Sequence, residues 1–265
     1  MKFTQDIHVH TSLSACGKPE GIGADYLRQA KELGFETVGF ADHMWDKAVG
    51  FFGGFYQYQD VPHVLKLHEQ KEALEAEDLR YLVGCECEYD YEHRDIALSA
   101  EGAEQFTHIL VPISHTHIVC PRDIRDDVKK HADFMFRAFM DVVESKNAKY
   151  VTAMAHPFAA VGCPYPKEDV MAQYTEAQFR ECFTAAKQAG IAIELNPFMF
   201  SAAKSDEEAD LLDNCFVQML AVAKSCGCRF TFGSDVHSAV GYHRHARTEK
   251  VADVLGLTEG DIKLI

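Results

Sequence analysis

A closed or nearly closed α/β barrel is the fold this sequence predicts, on three observations. Short β-branched or apolar runs alternate with longer helical stretches along the chain, the pattern of parallel strands joined by right-handed crossovers. The first run ends in His8-Val9-His10, where an open doubly wound sheet would carry a glycine-rich phosphate loop. A metal-ligand type or another polar residue stands at or just beyond the end of each run, as expected where strand ends converge on one face.

The candidate strands are residues 3–9, 36–41, 80–85, 108–114, 150–155, 191–195 and 229–233, each bounded by turn signals or polar residues. Helical stretches fill the spaces between them at 24–33, 61–77, 124–145, 175–189 and 206–225. In the first helix Tyr26, Leu27, Ala30 and Leu33 repeat at helical spacing before a stop at Gly34. Thr175 with Gln178 three residues on reads as a capping box, and Gly190 ends that helix. The 265 residues are expected to form one domain, 1–265, with no internal repeat, low-complexity tract or linker.

Composition narrows the functions open to it. An apolar content of 47% with 25% charged residues belongs to a globular protein and excludes disorder as the main state. A net charge of −15 repels phosphate backbones and anionic lipid surfaces, which argues against nucleic acid or a membrane as a general partner. No apolar run approaches the roughly 20 residues of a membrane helix, and the N-terminal residues show no signal region. Nine scattered cysteines, an odd number, favour a reduced, cytoplasmic setting. Cys85-x-Cys87 and Cys226-x-Cys228 are too closely spaced for the usual zinc motifs and read as buried thiols.

The fourteen histidines are the oddity, and their positions carry the argument. The strand ends supply in turn His8 and His10, Asp42 and His43, Glu86, His115 with His117, His156, Glu194 and Asn196, then Asp235 and His237. Neutral imidazole and carboxylate are the ligands of zinc, manganese and iron(II). In His8-Val9-His10 and Asp235-Val236-His237, residues i and i+2 point to the same side of an extended chain, so each pair can serve neighbouring ions. His115 is favoured over His117 because it directly follows its apolar run, as His156 does. His63, His68, His108 and His131 fall away from the strand ends and are read as packing residues, while His93, His243 and His245 lie in loops that can reach the site face.

The motifs His8-Val-His10-Thr, Ala41-Asp-His43, Gly84-Cys-Glu86, Ser114-His115, Ala155-His156-Pro157 and Gly233-Ser-Asp235-Val-His237 resemble those of the PHP (polymerase and histidinol phosphatase) superfamily, from residue 7 to about 240. The resemblance implies a distorted, TIM-like barrel of seven βα units with a metal site at the C-terminal ends of its strands. It implies two or three divalent ions: one held by His8, His10, Glu86 and Asp235, a second by Glu86, His115 and His156, and a third by His43, His237 and a ligand from the loop after His10. At that loop position the family commonly carries His or Asp. This chain has Cys16, whose thiolate can bind zinc or iron, with Asp42 or Glu20 as the alternative support.

Clustered dications acidify a bridging water and neutralise charge on phosphoryl oxygens, so the expected reaction is phosphoester hydrolysis without a Ser or Cys nucleophile. Glu86 is the central carboxylate, and Asp235 or His237 could pass a proton to the leaving oxygen. For the phosphate, Arg94, Arg122, Arg244 and His243 follow strands three, four and seven in sequence. The aromatic, glycine-hinged segment 44–58 reads as a lid or specificity wall, or else as a subunit contact. A small phosphorylated metabolite is the expected partner, with histidinol phosphate the single best guess on resemblance and size. The alternatives are a nuclease or cyclic phosphodiesterase, a protein-tyrosine phosphatase, a non-catalytic metal-binding domain, and an amidohydrolase-type barrel, which would need a bridging lysine absent from these strand ends.

Overall fold

The computed structural model describes residues 1–19, 23–50, 52–239 and 245–265. Seven parallel strands form one sheet in sequential order: β1 (Gln5–Val9), β2 (Thr37–Met44), β3 (Arg80–Cys87), β4 (Ile109–Pro112), β5 (Ala153–Ala155), β6 (Ala192–Leu195) and β7 (Phe230–Phe232). A parallel bridge between Val9 and Val236 joins the two edges, with His10 N donating to Val236 O at 3.0 Å and Asp235 N to His8 O at 2.8 Å. The sheet therefore closes at the C-terminal ends of its first and last strands, and the result is a distorted TIM-like barrel. All seven expected strands are present within a few residues of their expected bounds.

The longer helices are α1 (Gly23–Leu33), α2 (Val128–Glu144), α3 (Glu176–Ala189), α4 (Cys215–Ser225) and α5 (His245–Val254). Thr175 and Gln178 form the expected capping box on α3, and Gly190 closes that helix at φ 73°. Three expected helices differ from what was read. The stretch 124–145 breaks where Asp127 accepts from Lys130 N and starts α2, and 206–225 breaks where Asn214 does the same for Phe216 and Val217. The stretch 61–77 breaks into Val61–Val64, a 3-10 turn Leu65–Gln70 and Lys71–Glu75. Its buried Val61, Val64 and Leu67 recur every third residue, a period that suits 3-10 rather than α geometry. A hairpin of Tyr89–Asp90 and Asp95–Ile96 follows β3.

Two apolar regions hold the barrel. The large one packs the helices against the outside of the strands. The small one joins Ile7, Ala41, Leu110, Ala153, Ala155 and Ala192, which come from five strands and can meet only inside the ring. His108 shares that interior: its Nε2 bonds Ile7 O at 2.9 Å, and its ring lies where a Cβ on Gly39 or Gly84 would stand, within 2.7 and 2.3 Å of Cε1. The interior is thus closed beneath the strand ends, as in other packed barrels.

Candidate metal centre

The site grows out of the barrel's closure. In β1 the register with β2 shifts between Asp6 and Val9, an irregularity that re-aims the chain as it reaches His8 and His10. In the regular β2–β3 pair, His43 stands directly opposite Glu86. His115 and His156 follow β4 and β5, and Asp235 and His237 follow β7. His156 and Asp235 hold φ of 27° and 54°, a left-handed backbone that costs a non-glycine residue on the order of 1–3 kcal/mol and clusters at functional sites.

The side chains converge on Glu86, which is wholly buried. His156 Nε2 lies 3.0 Å from Oε1, His43 Nδ1 lies 2.8 Å from Oε2, and the Nε2 atoms of His8 and His10 both lie 3.5 Å from Oε2. His10 Nε2 is 3.1 Å from Asp235 Oδ1, and the two Nε2 atoms of His8 and His10 face each other at 3.1 Å. Among the described residues, four overlapping groups have donor atoms within 4.8 Å of one another: His8-His10-Asp235, His8-Glu86-His156, His10-His43-His237 and His43-Glu88-His115. Among the described residues, Glu86 Oε2 and His43 Nδ1 are buried without a well-aligned hydrogen bond. Facing imidazole nitrogens around an unsatisfied carboxylate fit divalent metal, because a cation satisfies acceptors that cannot satisfy each other.

A second ring of residues orients these ligands. Glu194 takes His8 Nδ1 at 2.7 Å and His156 N at 2.7 Å; Ser114 Oγ meets His156 Nδ1 at 2.6 Å; Glu88 Oε1 meets His115 Nδ1 at 2.6 Å. The carboxylates can only accept, so they fix Nδ1–H on His8 and His115, and each of the ring contacts turns the far nitrogen toward the cluster. Gly233 is required here, because a Cβ would stand 1.9 Å from Glu194 Oε1. Asp42 accepts from Thr11 N, Thr11 Oγ1 and Ser14 Oγ, each at 2.7 Å, so it secures the loop after β1.

Electrostatics follow from this crowding. Burial pushes Glu86 up, but the imidazoles of His115, His8 and His43 outweigh it and hold the carboxyl well below the usual range. Burial, with His237 and His43 beside it, holds His10 well below the ordinary imidazole value, which favours the neutral form a metal needs. Desolvation pushes the Cys16 thiol up, yet hydrogen bonds with His237 and His43 bring it down to about 7.

A cavity of about 220 Å³ opens over the cluster, lined by Cys16, His43, His115, Asp235 and His237 together with the apolar Phe55, Ile118, Val161 and Phe198. His8, His10, Glu86 and His156 lie buried among these groups. His117 borders the cavity but bonds Val161 O at 3.1 Å, outside the four donor groups. Arg94 and Arg122 do not reach it. Arg94 is bound to Asp141 Oδ1 through Nε at 2.9 Å and Nη2 at 2.5 Å, and Arg122 is exposed near Asp126. Only eight positions separate Arg94 from Glu86 in sequence, yet Asp141 holds Arg94 against α2, outside the residues that line the metal cavity. His243, Arg244 and Glu20 lie outside the described residues.

Phe51 lies outside the described residues; of the rest of the aromatic segment, four residues pack as a wall beside the cluster. Trp45 and Tyr56 are buried, Trp45 stacks on Phe52 at 4.5 Å, Phe55 meets the His43 ring edge-on at 5.3 Å, and Tyr56 OH donates to Glu88. Glu88 was missed by the sequence reading. Its signal was the i, i+2 spacing in Glu86-Cys87-Glu88, the same rule that singled out His8 and His10.

The family model described as the PHP domain matches residues 6–197, well over half of the chain. The chain belongs to the PHP family. Two solved structures share this PHP chain's fold. One is histidinol phosphate phosphatase from Lactococcus lactis subsp. lactis Il1403, complexed with zinc, L-histidinol and phosphate: TM-score 0.67, 15% identity, 96% of this chain and 92% of that one. The other is a protein from Listeria monocytogenes described as a candidate histidinol phosphatase: TM-score 0.65, 16% identity, 91% of this chain and 98% of that one. At such identities the likeness concerns the fold. No curated protein matches the PHP chain by sequence. Among its described residues no helix is long and apolar enough to cross a membrane, and all nine cysteines are free.

Proposed function

We propose that the chain is a metal-dependent phosphatase that hydrolyses a small phosphomonoester, with L-histidinol phosphate as the first substrate to test. The observation that carries this reading is the convergence of His8, His10, His43, His115, His156, Asp235 and His237 around the buried Glu86 beneath one cavity. In support, the Lactococcus protein of the same fold was crystallised with zinc, L-histidinol and phosphate.

His8, His10, Glu86 and Asp235 would hold one ion, Glu86, His115 and His156 a second, and His43 and His237 with Cys16 a third. When bound, zinc, manganese or iron(II) ions would acidify water and neutralise charge on the phosphoryl oxygens. The remaining work belongs to the chain. Glu86 supplies the shared negative charge that keeps the cations together. His237 stands at the partly exposed rim of the cavity with its Nδ1 on the carbonyl of Asp235 at 3.0 Å, which leaves Nε2 for the third ion or, with that position empty, for giving a proton to the leaving oxygen. Phe55, Ile118, Val161 and Phe198 line the same cavity, exclude water there and limit the ester to a small body. Free thiols and the −15 charge support a single-domain, cytoplasmic enzyme acting on a small metabolite rather than on nucleic acid.

The test is phosphate release from a panel of phosphomonoesters, including histidinol phosphate, with bound metals quantified on the same preparation. Metal-dependent turnover led by histidinol phosphate supports the full reading. Turnover led by another monoester keeps the phosphatase and changes the substrate; full metal occupancy with no turnover on any monoester overturns it.

A further inference from the structure

Arg94, expected at the phosphate, instead frames a second cavity. A cleft of about 470 Å³ lies between the hairpin after β3 and helix α2, and among the described residues it shares none with the lining of the metal cavity. On α2 it is bordered by Lys130, Phe134, Arg137 and Asp141, at helical positions i, i+4, i+7 and i+11, which form one stripe. Facing them are Tyr89, Tyr91 and Arg94 of the hairpin.

The charges in the cleft are not balanced. Asp141, almost wholly buried, accepts from Tyr89 OH at 2.6 Å and from Arg94, so its charge is used to hold the guanidinium in place. Asp133, which also lines the cleft, accepts from Lys129, so its charge is paired as well. Lys130 and Arg137 are exposed and make no ion pair among the described residues, in a chain whose net charge is −15. They lie about 10 Å apart along the helix axis, one turn to either side of Phe134. Their long side chains can therefore close on one anion above that ring.

The aromatic side is equally specific. Tyr91 is 41% exposed, and its ring lies 6.3 Å from that of Phe134, with Tyr89 edge-on to Phe134 at 6.1 Å. The hairpin tip is fixed rather than loose: Asp90 accepts from the backbone of Glu92 and His93 and from His93 Nδ1, and Arg94 is held at φ 55°.

We infer that this cleft is a second ligand site, and that it takes an aromatic anion: a flat ring against Tyr91 and Phe134, with its phosphate-like or carboxylate group between Lys130 and Arg137. The size falls within the usual range for small-molecule sites. The inference does not depend on the reaction at the metal centre.

The probes are phenylphosphonate, which has no ester to hydrolyse, and 2-naphthoate, with methylphosphonate as the anion lacking a ring. Binding is measured by calorimetry on the metal-loaded protein, its Lys130→Ser/Arg137→Ser double variant, and Tyr91→Ala. We expect at least one aromatic probe to bind more tightly than methylphosphonate, and its affinity to fall at least ~10-fold in the double variant, the loss of about 1.4 kcal/mol of charge contact. Tyr91→Ala should weaken the aromatic probes and leave methylphosphonate unchanged. Phosphomonoester turnover should be the same in all three proteins. Which aromatic probe binds better tells phosphate-type from carboxylate ligands. No binding by either aromatic probe, or binding unchanged in the double variant, overturns the inference.

Discussion

His8 and His108 are both wholly buried within one barrel, yet their environments drive them in opposite directions. Around His108 stand Gly39, Gly84 and the backbone of Ile7, and burial pushes the imidazole down to about 4. Around His8 burial acts in the same sense, but Glu194, Glu86 and Asp235 outweigh it and raise the imidazole well above its ordinary value. Burial alone makes a neutral packing group. Buried carboxylates around the same ring make a site that calls for cations, and the boundary between the two behaviours lies only a few residues along the strands.

The largest effect expected from breaking this contrast is at Glu86. Glu86→Gln keeps the shape and removes the charge that every donor group faces. Bound metal should fall below stoichiometric and turnover should drop by at least ~10³-fold, as when a main electrostatic element is lost from an active site. Elemental analysis and phosphate release check it, and a variant that keeps both its metal and its rate would sink the assignment.

His108 gives the next largest effect, with a definite sign. Its folded value of about 4 lies below the ordinary 6.5, so the unfolded chain takes up the proton first as pH falls. The stability it contributes is complete above about pH 6.5 and is lost between there and pH 4, on the order of 3 kcal/mol in all. Urea unfolding of the wild-type and His108→Gln proteins at pH 7 and 4.5 should show the variant losing less. The cluster titrates in both proteins, so the difference between them isolates His108. Gly84→Ala attacks the same interior by volume, since the new methyl would stand 2.3 Å from the ring. We expect it to cost about 1–3 kcal/mol, seen as a lower urea midpoint at unchanged slope.

How much of this was legible in the sequence follows from the range of the interactions involved. The seven strands and the polar residues at their ends were readable because both depend on local pattern, apolar runs and what directly follows them. Asp127 and Asn214 were readable types too, but a capping residue inside an apolar-periodic stretch is masked by the helices on either side of it. Arg94 was misplaced because sequence order says that it follows the third strand, not which way the hairpin turns; its direction is decided by Asp141, 47 positions away. The roles of Glu194 and Ser114 as orienting groups were hidden for the same reason, as each is defined by a partner on another strand.

Glu88 offers the smallest and most discriminating of the effects. It sits on the metal side of the contrast without facing Glu86: His115 Nδ1 and Tyr56 OH meet at its Oε1, so it links the aromatic wall to one of the cluster's imidazoles. Glu88→Gln should free the His115 ring to rotate and lower metal affinity at that position by about 10–100-fold, the usual cost of losing a group that orients a ligand. Tyr56→Phe removes one donor and leaves the carboxylate on His115, so its effect should be smaller and in the same direction. Chelator competition across the two variants reads this directly. If Tyr56→Phe, which keeps the ring's packing, weakens metal binding as much as Glu88→Gln does, the carboxylate positions His115 only while the Tyr56 hydroxyl holds it. If neither variant weakens it, packing holds the ring and Glu88 is not the positioning residue. If only Glu88→Gln has an effect, the carboxylate alone fixes the ring, and the aromatic segment serves the substrate cavity through Phe55.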